Sequence, residues 1–200
     1  MKGICGLYGR VRRKFRRNIE RTQKNFLSER ADALRRRRKI AVPENIDRID
    51  RKILDILQVE GRISNTELAQ RVGLSMSPCS ERVRRLERAG IITGYQARVD
   101  PEAVGRPLLV FVEIALSSKS ADVFDKVRDQ LMLMPEVQEC HLVSGSFDYL
   151  VKARLAGMEE YRNLLGAMLK KLPVPAQSQS YVVMESVKET LAVPLDRLAR

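Results

Sequence analysis

The sequence has little of what most site chemistries require. Three cysteines (Cys5, Cys79, Cys140) and one histidine (His141) in 200 residues are too few for a disulfide scaffold. Cys140 and His141 are adjacent, so on a strand they point to opposite faces and do not readily share a metal. Packing is the expected role of both, as of Cys79. No apolar run approaches the ~18 residues of a membrane span. The apolar stretch at residues 3–9 is too short for a signal-peptide core, and arginines follow it at once. A cytoplasmic protein without a membrane partner is therefore expected. No nucleophile stands beside a base and there is no glycine-rich phosphate loop, which argues against an enzyme and against a bound cofactor.

The body of the chain also lacks excess charge, although the whole carries +12. Residues 1–42 hold 15 Lys/Arg against 3 Asp/Glu, which is the entire surplus; residues 43–200 hold 22 of each. The pI near 10 thus describes an N-terminal arm (residues 1–43), and nucleic-acid binding by the body must be argued from local pattern. The arm contains Arg12-Arg13-Lys14, Arg16-Arg17 and Arg35-Arg36-Arg37-Arg38-Lys39. Such dense like charge repels itself, and a disordered arm or loose helix is expected.

What is present after Pro43 is orderly, and 200 residues with 44 % apolar content suffice for two small cores. Asp47 can cap a helix in which Ile49, Ile53, Ile56 and Leu57 share a face, with Asp50 placed to suit the dipole. Ser64-Asn65-Thr66-Glu67 reads as a capping box opening a second helix, with Leu68, Ala69 and Val72 inward and Gly73 at its end. Only Leu74 and Ser75 precede the third helix, too short a turn for antiparallel packing, so the pair should cross steeply as a helix-turn-helix. In the third helix Cys79, Val83 and Leu86 face inward. The other side shows Ser77, Ser80, Glu81, Arg84 and Arg88, flanked by Arg82 and Arg85, with Arg84 and Arg88 placed to pair with Glu81 and Glu87. Small hydroxyls near the N-terminus followed by arginines suit entry into a major groove. A solvated amphipathic face is the alternative. The candidate DNA-contacting residues are Ser75, Ser77, Ser80, Glu81, Arg82, Arg84 and Arg85. Residues 91–95 read as a short strand and turn, a small wing.

Asp100-Pro101, Gly105 and Pro107 mark a linker over 99–107, after which the apolar period changes from 3.6 to 2. Strands are predicted at 108–116, 137–144, 149–155 and 181–188. Helical stripes lie between them, at Val123, Phe124, Val127 and Leu131 and again at Tyr161, Leu164, Leu165, Met168, Leu169 and Leu172. The order βαββαβ is ferredoxin-like. The class is therefore α+β: a winged helix-turn-helix head (44–98), a ferredoxin-like domain (108–190) and a C-terminal tail (191–200). On the first strand Val110, Val112 and Ile114 point one way and Leu109, Phe111 and Ala115 the other. Helices cover one face of such a sheet, so Leu109 and Phe111 should be exposed, and a two-fold partner would cover them. Gly145-Ser146-Phe147-Asp148 joins two strands. Its aspartate can fold back onto backbone N–H groups as in an Asx turn, or bind an ammonium group.

The head contains the stretches Ile49-Asp50-Arg51-Lys52-Ile53-Leu54, Gly61-Arg62-Ile63-Ser64 and Glu81-Arg82-Val83-Arg84-Arg85-Leu86-Glu87. Beyond it come Leu109-Val110-Phe111-Val112-Glu113-Ile114, Glu139-Cys140-His141-Leu142-Val143-Ser144-Gly145 and Phe147-Asp148-Tyr149-Leu150-Val151-Lys152. Through these stretches the run from Ile49 to Glu189 resembles the Lrp/AsnC, or feast/famine, family of regulators. The resemblance implies a transcription regulator that binds double-stranded DNA as a dimer, assembles further, commonly to octamers, and associates with the bacterial nucleoid. It also implies an amino-acid effector, often leucine, bound between dimers. Carried over, the G-x-x-D element falls on Gly145 and Asp148, with Leu142, Met158, Tyr181, Val182 and Val183 lining the effector site or its interface. The long front departs from the family. It is either a DNA-tethering tail or the product of a start placed too far upstream. An amino-acid-sensing enzyme subunit would explain the second domain but not the head, and a chromatin-like compactor would keep the head without an effector response.

Overall fold

The computed structural model describes residues 46–195, so the expectation for the basic arm lies outside the described residues. These residues divide into two compact units, one of Val99–Glu185 and one of residues 46–98 together with 186–195. No helix among the described residues is long and apolar enough to cross a membrane.

The head consists of α1 (Arg48–Val59), α2 (Asn65–Val72) and α3 (Met76–Arg88). Its core is built from Ile53 and Leu54 of α1, Leu68, Ala69 and Val72 of α2, and Cys79 and Leu86 of α3. Ile49, Ile56, Leu57 and Val83 pack around it partly buried. The reciprocal capping box occurs at α1 rather than α2. The Asp47 side chain accepts from the Ile49 and Asp50 N–H groups, and Asp50 accepts from the Asp47 N–H in return. At α2 only half the expected box forms. Ser64 accepts from the Glu67 N–H at 3.1 Å, while the Glu67 carboxylate turns outward to Arg71. Gly73 has φ 76°, and the Leu74 N–H reaches back to the Ala69 carbonyl, so the chain reverses within two residues and α3 starts. Ser75 occupies the N-cap position of α3 without a side-chain bond.

The predicted wing strand does not form. Residues 91–98 contain no strand; Ile91 and Ile92 pack on the core, and the Tyr95 hydroxyl donates to Glu87 at 3.0 Å. A two-residue apolar run followed by Gly94 offers no ladder partner within the head. The tail returns to this unit. Gln58 exchanges two hydrogen bonds with the Val193 backbone, and Leu195 packs on the head core.

The second unit carries β1 (Leu108–Leu116), α4 (Ala121–Leu131), β2 (Val137–Leu142), β3 (Tyr149–Leu155), α5 (Met158–Lys171) and β4 (Ala176–Val182). The sheet is antiparallel, in the order β2-β3-β1-β4. Val110, Val112, Ile114 and Leu116 meet Tyr149, Val151, Ala153 and Leu155 on the covered face, against Val123, Val127 and Leu131 of α4 and Leu164 and Met168 of α5. The Tyr149 hydroxyl donates to the Phe124 carbonyl, and the two rings meet edge-on at 6.1 Å.

Three expectations need correction here. β2 ends at Leu142 rather than residue 144. β4 occupies Ala176–Val182, not 181–188. Its sequence Ala-Gln-Ser-Gln-Ser-Tyr-Val is too polar to signal a strand, yet an edge strand exposed on one side needs little apolar content. Leu109, expected in water, is only 7 % exposed, whereas Phe111 is half-buried.

Candidate functional site

The third helix of the head sorts its polar residues by turn. Ser77, Glu81, Arg84 and Arg88 fall at i, i+4, i+7 and i+11, all exposed, on the side opposite Cys79 and Leu86. The expected pairing of Arg84 and Arg88 with Glu81 and Glu87 does not occur among the described residues. Arg88 Nε donates to the Arg84 carbonyl, and Glu87 takes the Tyr95 hydroxyl. Ser75 is exposed at the helix start and Ser80 half-buried at the flank.

Arg82 and Arg85 sit on the other flank, turned toward α1. Arg82 Nη1 lies 2.6 Å from Asp47 Oδ2 and 2.9 Å from Asp50 Oδ1, and Arg85 pairs with Asp50 Oδ2. Asp50 is 0 % exposed. A carboxylate with no access to water needs charged or hydrogen-bonding partners; these two guanidinium groups supply them. Burial works against the Asp47 carboxylate, but the Asp50 N–H and Arg82 outweigh it and hold its pKa below 3.8. Nothing in the order of residues marks Asp50 as a buried ionic hub. Its position suited a helix dipole equally well, and its partners lie 32 and 35 residues away.

In the second unit the candidate effector residues fall at two ends of the sheet. At one end the β2–β3 turn holds Leu142, Gly145 and Asp148. Gly145 has φ 156°, which a side chain would strain. Asp148 does not make the local Asx turn. Its Oδ2 accepts from the Leu116 N–H at 2.8 Å, across to the end of β1, and its Oδ1 lies 3.0 Å from Lys119 Nζ. Its own N–H donates to Ile114 and its carbonyl accepts from Val143. Burial disfavours this carboxylate, yet the Leu116 N–H and Lys119 keep its pKa below 3.8.

Met158, Tyr181, Val182 and Val183 lie toward the other end. Tyr181 is opposite Phe111 and Val182 opposite Val110, whereas Asp148 adjoins Ile114. Three residues of strand separate the two groups, about 10 Å at 3.3 Å per residue. Met158 is farther still, beyond Leu155, which pairs with Leu108. Reading β4 as starting at Tyr181 would have put that residue beside the Gly145–Asp148 turn; the true register pairs it with Phe111, near the middle of β1. Leu142, Met158, Tyr181 and Val182 are all exposed. One protomer does not close a pocket from this set.

The uncovered face of the sheet carries Phe111, Ala115, Leu150 and Tyr181 among Glu113, Glu139 and Lys152. Lys152 Nζ is 3.0 Å from Glu139, which draws the Glu139 pKa down, and His141 stands exposed 3.5 Å from the same carboxylate. The Cys140 thiol, pushed up to about 11 by burial, is unreactive packing.

Comparison with known proteins gives two family matches, the "Winged helix-turn-helix DNA-binding" model over residues 46–93 and the "Lrp/AsnC ligand binding domain" over residues 109–193. The leucine-responsive regulatory proteins of Klebsiella pneumoniae and of Escherichia coli K12 are each 54 % identical over 147 residues, spanning 74 % of this chain and 90 % of theirs. Among solved structures, the Neisseria meningitidis transcriptional regulator NMB0573 in complex with L-methionine superposes with a TM-score of 0.74 at 34 % identity, covering 78 % of this chain and all of that one. The Mycobacterium tuberculosis feast or famine regulatory protein Rv3291c, complexed with L-methionine, gives 0.66 at 31 %, covering 74 % and 99 %.

Proposed function

This chain belongs to the Lrp/AsnC family of DNA-binding transcription regulators, and on that premise we propose which of its residues read DNA and sense an amino acid. It is a regulator and not an enzyme. α3 is the recognition helix, and the stripe of Ser77, Glu81, Arg84 and Arg88 is the observation that carries this reading. Small residues at its start admit the helix to the major groove, and two guanidinium groups without carboxylate partners among the described residues are available to phosphate or guanine. Ser75 and Ser80 border the contact. Arg82 and Arg85 serve it indirectly by fixing α3 against α1. The DNA is the bacterial nucleoid, which places the protein in the cytoplasm.

The uncovered face of the sheet pairs with a second copy, giving an oligomer with two heads for two half-sites, as suits a family of oligomeric regulators. The effector is leucine or a related amino acid such as methionine. Asp148, Gly145 and Leu142 of one protomer and Met158, Tyr181, Val182 and Val183 of another meet around it: the carboxylate takes the α-ammonium group and the apolar residues the side chain. The separation of these groups within one chain supports a site completed between subunits. A ligand bound there has differential affinity for assembly states and so shifts DNA binding.

The test uses DNA selected from a random pool by the protein itself. Preference for selected over scrambled DNA, altered by leucine or methionine, is the expected result. Equal affinity for both, unmoved by either amino acid, is the behaviour of a DNA compactor and would overturn this reading. Phe111→Asp should yield monomers by light scattering and lose selective binding; a dimer that survives it puts the interface elsewhere.

A further inference from the structure

The carboxylate assigned to the effector already holds an ammonium group. Asp148 divides its two oxygens between unlike tasks. Oδ2 is tied to the Leu116 N–H at 2.8 Å, which joins the end of β1 to the start of β3. Oδ1 takes no backbone donor among the described residues; it meets Lys119 Nζ at 3.0 Å. The two side chains differ in exposure, 56 % for Lys119 and 7 % for Asp148. Lys119 therefore reaches in from water and covers the only oxygen not committed to the fold. It comes from the short loop between β1 and α4, just before Ser120, the N-cap residue whose hydroxyl accepts from Val123. No other ion pair of Lys119 is present among the described residues.

We propose that Lys119 is a built-in competitor of the effector: its side-chain ammonium occupies Asp148 Oδ1 in the unliganded protein, and the α-ammonium of a free amino acid must displace it. This rests on the reading of Asp148 as the ammonium-binding carboxylate. The two groups are chemically alike, each a primary ammonium with one positive charge and three donors. Displacement costs Lys119 little, because its long stem returns to solvent with the charge hydrated. The buried carboxylate is never left bare, since one cation replaces the other. Lys119 thus raises the concentration at which the protein responds without taking part in the complex. The observed dissociation constant is the intrinsic one divided by the fraction of protein in which the carboxylate is uncovered. An ion pair half in water leaves it covered roughly 70–90 % of the time, so the penalty is about threefold to tenfold.

The experiment is a calorimetric titration of the full chain with L-leucine and separately with L-methionine, on the wild type, Lys119→Ala, Lys119→Gln, Lys119→Arg and Asp148→Asn. Lys119→Ala and Lys119→Gln are expected to bind about threefold to tenfold tighter. Lys119→Arg, which keeps the cover, should stay near wild type, and the tighter binding of the two neutral variants is the result that a merely structural lysine would not show. Binding that is unchanged or weaker in both neutral variants, while Asp148→Asn abolishes it, overturns the proposal and leaves the effector site standing. If Asp148→Asn binds as wild type, the site itself is wrong and the proposal falls with it. Lys119→Gln keeps length and a donor, so it serves if Lys119→Ala fails to fold.

Discussion

Replacing Asp50 by asparagine should loosen the head more than any other conservative change at its surface helices. The substitution keeps the shape of the side chain and its acceptor for the Asp47 N–H, but removes the charge that two guanidinium groups converge on. Breaking a buried ion pair by neutralising one partner costs about 3–5 kcal/mol. Two features lower that figure. Arg82 retains Asp47 at 2.6 Å, and Arg85, half exposed, can turn back to water. About 2–3 kcal/mol of head stability is then lost. For a domain this small, whose total stability lies toward the lower end of about 5–15 kcal/mol, that is a large share. At about 4–8 °C per kcal/mol, the midpoint should fall by roughly 10–20 °C. The chain has two units, so a single melting curve mixes them. Hydrogen exchange of α1 and α3 amides isolates the head and should accelerate there but not in β1 or β3. Affinity for selected DNA should drop more than affinity for scrambled DNA, because α3 loses its fixed rotation against α1. A change below about 0.5 kcal/mol, the size of an ordinary surface substitution, would refute the reasoning and reduce the cluster to a surface ion pair.

Three further outcomes are expected. Arg84→Ala should weaken binding to all DNA sequences and reduce the slope of log K against log salt by about one, if Arg84 meets phosphate; a loss confined to one base position would instead make it a base reader. Gln58→Ala removes both hydrogen bonds to the Val193 backbone and should destabilise the head by about 1 kcal/mol, with faster exchange at the Val193 amide; an unchanged rate there means that the tail is not held at this point. The folded pKa of Asp148 lies below its ordinary 3.8, so its contribution is fully present above that value and is lost as pH falls through the lower folded pKa. Asp148→Asn should therefore flatten the acid limb of the ferredoxin-like domain's melting temperature, and a wild-type acid limb in the variant would disprove the linkage.

What the sequence determined by itself was whatever rests on neighbours in the chain. The capped starts at Asp47 and Ser64, the left-handed stop at Gly73 and the inward stripe of Cys79 and Leu86 are local matters of propensity and period, and the three helices follow. A nearly unbroken apolar run located β1, and alternation located β3, to the residue, because both pack strongly apolar side chains on the covered face. Tertiary structure decided what depends on distant partners. The strand Ala176–Val182 exists because β1 offers it a ladder, not because Gln-Ser-Gln-Ser favours a strand, and its register carries Tyr181 away from the Gly145–Asp148 turn to a place opposite Phe111. Ser64-x-x-Glu67 promised a box that Arg71 undid, and Arg82 and Arg85 looked like members of a basic face until Asp50 drew them to α1. Asp148 was ambiguous for the same reason. A short polar side chain in a turn has many local partners, and only the folded sheet shows that its oxygens go to Leu116 and Lys119. Periodicity and capping act over a few residues and are written in the chain, whereas charges and backbone donors choose partners by distance in space, which only the fold sets.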